Sequence, residues 1–154
     1  MMEKGKTALA VWHLIEQLSE GGIIDDFPIH YYRPDEIRLE QGVVFPCGIR
    51  VALSAMERSI YMLFLRHPEG IRMDMRWQYY SELLEIYLKE SSSSDLDWKE
   101  KRIDELCEDD SSRFSSHISH IRRKLQRVLP PVDAERFCIK KHAGGIYRIG
   151  ALRR

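Results

Sequence analysis

Between positions 111 and 129 the chain gathers side chains whose shared chemistry is contact with phosphate. They are Arg113, Arg122, Arg123, Lys124 and Arg127, interleaved with Ser116, Ser119 and His120. Guanidinium and ammonium groups pair with phosphate oxygens, and hydroxyls and imidazole add short-range hydrogen bonds. Phe114, Ile118, Ile121, Leu125 and Val128 recur at spacings of 4, 3, 4 and 3, which predicts a helix with one apolar side. Arg113, Ser116, Ser119, His120, Arg123 and Arg127 fall on the opposite side, with Arg122 and Lys124 flanking it. No carboxylate lies within 111–129. Solvated helix faces ordinarily mix both signs to gain i,i+4 pairs. Two readings therefore stand: an ordinary charged surface helix, or one that enters a nucleic-acid groove and meets phosphates. Asp110, Ser111 or Ser112 is the candidate cap, and Pro130-Pro131 the stop.

Other chemistries find less support. His117 and His120 are three apart and could face one metal, but no third ligand lies near and the adjacent arginines oppose a cation. Cys47, Cys107 and Cys138 are odd in number and in no ligand spacing, so reduced thiols are expected. No Gly-rich phosphate loop or nucleophile elbow appears. The expectation is a protein that is not an enzyme, with no catalytic residue, no cofactor and no metal.

The 154 residues suit one domain with a short arm, and 44% hydrophobic with 31% charged residues describes a globular chain. No run approaches eighteen apolar residues and no signal pattern opens the chain, so a cytoplasmic protein with no membrane partner is expected. A net charge of zero hides an asymmetry. Residues 1–80 hold 9 Lys+Arg and 11 Asp+Glu, residues 81–110 hold 4 and 11, and residues 113–154 hold 11 and 2. The basic C-terminal third is what a polyanion would meet.

The elements that must position the basic helix follow from local pattern. Residues 6–19 read as a helix, apolar over more than half its circumference and ended by Gly21-Gly22. Its cover is either the domain itself or a second copy, which would make a homodimer. Residues 27–53 carry three or four short strands with turns at Gln41-Gly42 and Pro46-Cys47-Gly48. Ser54-Ala55-Met56-Glu57 is a capping box opening a helix over 54–66 that buries Met56, Ile60, Leu63 and Phe64. A second helix near 79–88 faces inward through Tyr80, Leu83, Leu84, Tyr87 and Leu88. Residues 89–110 form an acidic, Ser-rich insertion, with Trp98, Ile103 and Leu106 anchoring a short helix. That insertion is either a solvated loop and helix, or a contact surface for a basic partner or an electrostatic guard against wrong docking. Residues 137–149 make a β-hairpin with Lys140, Lys141 and His142 toward its Gly144-Gly145 tip, followed by Leu152-Arg153-Arg154.

In this order the elements resemble the winged helix-turn-helix of the OmpR/PhoB type, the DNA-binding half of many bacterial two-component response regulators. Val51-Ala52-Leu53-Ser54-Ala55-Met56-Glu57 resembles the strand-to-helix entry L-T-x-x-E. Ser116-His117-Ile118-Ser119-His120-Ile121-Arg122-Arg123-Lys124-Leu125 is similar to the recognition-helix pattern V-H-I-S-R-L-R-R-K-L. Gly144-Gly145-Ile146-Tyr147-Arg148-Ile149 is similar to the wing pattern G-x-G-Y-R-L. The resemblance implies an α+β fold: a small N-terminal antiparallel sheet, a three-helix core and a C-terminal hairpin wing, with an extra N-terminal helix. Residues 1–26 would be a helical arm and 27–154 the winged-helix domain.

It also implies a DNA-binding transcriptional regulator, its recognition helix 111–129 in the major groove of duplex DNA and its wing 137–149 on an adjacent groove or backbone. The residues carried over are Ser119, Arg122, Arg123 and Lys124 on the helix and Arg148 in the wing. With six phosphate contacts, from Arg122, Arg123, Lys124, Arg127, Lys140 and Lys141, log affinity would fall with log salt at a slope of about −5. His120 departs from the arginine common in the pattern, and Ala143 and Ile146 depart in the wing. The first 26 residues are too few for a receiver domain, so phosphorylation by a histidine kinase is not the expected input. The competing expectation is a winged helix used for protein contacts, through the N-terminal helix or the acidic insertion.

Overall fold

The computed structural model describes residues 32–152 apart from 41, 93 and 109–111. The expected arm 1–26, the segment 27–31, the capping candidates Asp110 and Ser111, and Arg153-Arg154 lie outside the described residues. Within them the chain is α+β, with five α-helices and two small antiparallel sheets.

The first sheet joins β1 (Arg38–Leu39), β2 (Val43–Val44) and β3 (Arg50–Val51) in that order, with Arg38 opposite Val44 and Val43 opposite Val51. Helix α1 (Ala55–Arg66) follows directly, and its capping box is formed on both arms. Glu57 N donates to Ser54 Oγ at 3.2 Å, and Ser54 N donates to Glu57 Oε1 at 2.8 Å. Met56, Ile60, Leu63 and Phe64 are buried as expected, joined by Tyr61, Leu65 and the charged Glu57.

Strand β4 (Ile71–Arg72) and a 3-10 segment, Met73–Tyr79, lead into α2 (Tyr80–Glu90). Leu83, Ile86 and Tyr87 are its buried residues; Leu88, expected inside, is 38% exposed, and Ile86 faces inward instead. Arg58 ties α1 to the far end of α2, donating to Glu90 Oε2 at 3.0 Å and to the Leu53 carbonyl at 2.6 Å.

Helix α3 (Leu96–Cys107) occupies the acidic segment, capped by Asp95, which accepts from Trp98 N at 3.0 Å. It is no solvated appendage. Ile103 and Leu106 are buried, as is the stem of Lys99, whose ammonium reaches the Ser91 carbonyl. Trp98, expected to anchor the helix, is instead 43% exposed. The core therefore holds more than the three expected helices, because α3 packs into it.

Helix α4 (Arg113–Val128) buries Phe114, Ile118, Ile121 and Leu125, each worth about 1.5–3 kcal/mol on burial. Val128 departs from the expected stripe at 46% exposed, since the helix ends there and Leu129 turns inward in its place. Ser112 occupies the N-cap position without a side-chain cap bond. Pro130 ends α4, but Pro131 opens an unexpected short helix, α5 (Pro131–Phe137). The hairpin therefore starts later than expected, because Phe137 is the last residue of α5 and fully buried. Its ring lies 5.0 Å from Phe45 and 5.2 Å from Tyr32, and its carbonyl accepts from the Tyr61 hydroxyl at 2.7 Å.

The hairpin is β5 (Ile139–His142) and β6 (Ile146–Ile149), joined through Ala143–Gly145. It is not free-standing. β4 pairs with β6, Ile71 opposite Tyr147, to make a second sheet in the order β4-β6-β5. Near the sheet Tyr32 N donates to the Ala151 carbonyl at 2.7 Å. Among the described residues no helix is long and apolar enough to cross a membrane.

Candidate nucleic-acid interface

The apolar stripe of α4 fixes which side chains point outward. Arg113, Ser116, Ser119, His120, Arg122, Arg123 and Arg127 are exposed, and Lys124 is half-buried. The helix has 16 residues, about 24 Å at 1.5 Å per residue. It is held from below at both ends. Phe114 stacks edge-on against Phe64 of α1 with centroids 6.4 Å apart.

Lys124 reaches α1, where its ammonium donates to Glu57 Oε1. Burial alone would raise the Glu57 pKa, but bonds from Lys124 and from Ser54 N outweigh it and hold the carboxyl below its ordinary value. The charge at Lys124 is thus spent on holding α4 to α1.

The helix face expected to have no acidic partner has one at Arg113 too, and a wing lysine is also paired. Arg113 pairs with Glu105 of α3, and Lys140 pairs with Glu135 of α5. The carboxylates come from other elements, which a count within the helix does not register. Arg122, Arg123 and Arg127 form no ion pair among the described residues.

The register of the hairpin divides the wing candidates. Lys140 stands opposite Arg148 on one face, and Lys141 opposite Tyr147 on the other. Arg148 is half-buried, and its Nε is enclosed with no hydrogen-bond partner. His142 Nε2 shares that condition. Cys138 lies between wing and helix. Burial raises its thiol pKa, while the charges of Lys140 and Arg122 pull the other way. Those two cations therefore lie within electrostatic reach of one buried sulfur. All three cysteines are free, and burial pushes the Cys107 thiol up to about 11.

The C-terminal end of α3 is held by Arg76, a buried guanidinium without a signal in the sequence pattern. It donates to the Leu106 carbonyl at 3.0 Å, the Met73 carbonyl at 2.8 Å and the Glu108 carbonyl. Three of the acceptor carbonyls at hand are therefore met by one cation, two of them at the end of α3. The cationic end of a long side chain inside a short polar stretch left no periodic signal.

His117 and His120 stand edge to face with ring centroids 6.3 Å apart. Among the described residues no group of three His, Cys, Asp or Glu side chains is arranged to hold a metal ion. No protein-family model matches the sequence, and no curated protein or solved structure matches it significantly.

Proposed function

We propose that this chain is a duplex-DNA-binding module of winged-helix type, similar to the effector domains of OmpR/PhoB regulators, and acts as a transcriptional regulator. In this reading α4 enters the major groove and the β5–β6 hairpin meets adjacent backbone. One observation carries it: Arg122, Arg123 and Arg127 are exposed on one helix and unpaired among the described residues. Ser119 and His120 lie on the same exposed side. A cationic face that its own protein leaves unneutralised suits a polyanion.

The order of elements supports the reading. Lys124 is an anchor rather than a phosphate contact. Arg113 and Lys140 are already paired to carboxylates, so they come second to the cations that are not. Arg122, Arg123, Arg127 and Lys141 remain as the principal backbone contacts.

A second reading draws on Leu88, Leu96 and Trp98, at 38%, 50% and 43% exposed around the α2–α3 connection. It is a winged-helix module for protein contacts through its acidic segment. Arg123→Ala, titrated against random duplex and against a selected site, tests the first reading. A base-reading arginine costs about 1–3 kcal/mol at the selected site, whereas a phosphate contact weakens all sequences alike. A wild-type chain with no salt-dependent binding to any duplex would favour the protein-contact reading.

A further inference from the structure

The acidic segment contains a cation whose position its net charge conceals. At 3.6 residues per turn, Trp98, Arg102 and Glu105 share one flank of α3, while Asp97, Glu100 and Asp104 share the other. The first flank meets α4 in a cleft lined by Met56, Arg102, Glu105, Leu106, Arg113 and His117. Two of the charges there cancel, because Arg113 donates to Glu105. Arg102 has no carboxylate partner among the described residues. Its guanidinium lies over the Trp98 ring instead, with Cζ 5.1 Å from the centroid. A cation–π contact of this kind holds a guanidinium in place without using up its N–H donors.

His117, on the α4 side, also lines the cleft. Burial first, and then the charge of Arg102, push its pKa down, so the ring is neutral and offers one N–H donor. His120 stands edge-on to His117, and this links the cleft to the exposed arginine face of α4. The donors of Arg102 and His117 thus extend that face across the helix turn onto α3.

We propose that this cleft is a further phosphate subsite for the backbone of a nucleic acid, with Arg102 as its cation, Trp98 as the brace and His117 as a second donor. The proposal rests on the reading of α4 as a duplex-binding helix and enlarges the surface on which the duplex lies. It makes an inserted helix of negative overall charge part of the binding surface.

The full chain is titrated with random-sequence duplex over a series of salt concentrations, as wild type, Arg102→Ala, Arg102→Lys and Arg123→Ala. The subsite predicts that Arg102→Ala reduces the steepness of log affinity against log salt by about one unit, as Arg123→Ala does. Arg102→Lys keeps the wild-type slope, because the charge is retained. Trp98→Leu, which frees the guanidinium, weakens binding at each salt concentration and leaves the slope in place. A slope unchanged in Arg102→Ala but reduced in Arg123→Ala overturns the subsite and leaves the reading of α4 standing. A wild-type chain with no salt-dependent binding overturns both. An unchanged melting temperature for Arg102→Ala shows that the fold is intact.

Discussion

Lys124 and Glu57 form an ion pair between α4 and α1, so the carboxylate that caps one helix also anchors the helix bearing the arginines. Glu57 is 4% exposed. Lys124→Met should leave its carboxylate buried with fewer donors and cost about 1–2 kcal/mol, measured by chemical denaturation. The same pair carries a pH signature. Folding holds the Glu57 pKa below its ordinary 4.5, so this stabilisation is present above that value and is lost as pH falls through the lower folded value. Glu57→Gln should therefore flatten the acid limb of stability against pH. A wild-type acid limb in that variant would count against the pair.

His67, just beyond α1, has the opposite sign. Burial alone would lower its pKa, but Nε2 meets Glu82 at 2.8 Å and Nδ1 meets Glu69 at 3.0 Å, and these hold it above 6.5. The folded state binds the proton more tightly, so the contribution is complete below about pH 6.5 and disappears as pH rises through the folded value. His67→Gln should cost about 1 kcal/mol near pH 6 and little near pH 9. Equal losses at both would show that the two carboxylates do not stabilise the protonated ring.

Gly70 turns the chain into β4 at φ +104°, and an added Cβ would press on the Ile146 side chain and come within 3.0 Å of the Tyr147 carbonyl. Gly70→Ala should cost about 1–3 kcal/mol and loosen the contact of β4 with the hairpin. Amide exchange in β6 that speeds up in step with the loss of stability would show this. Unchanged exchange would contradict it.

What could be read from the sequence was local. The capping box at Ser54 and Glu57 needs four adjacent residues, and the stripe from Phe114 to Leu125 needs one helix period. What could not be read depends on distant partners. Strand β4 has two residues and exists through pairing with β6, far along the chain. Glu57 and Lys124 are 67 positions apart, so their pairing left no sequence signal. Helix α5 was hidden for a different reason: Pro130-Pro131 reads as a stop, yet Pro at a first helical position also starts a helix, here one that buries Ala134 and Phe137. Residue type points Trp98 inward, while its exposed ring lies against Arg102. In its stead the stem of Lys99 is buried beside Ile103.

The central claim is that unpaired arginines on α4 meet nucleic-acid phosphate, and the salt dependence of wild-type binding to duplex DNA tests it most directly. With Lys124 and Lys140 already paired to carboxylates, the expected number of neutralised phosphates falls from six to about four, with Arg102 adding a fifth. With those five contacts the account predicts a slope of log affinity against log salt of about −4.5. Affinity that is absent at low salt, or does not change as salt rises, would contradict it.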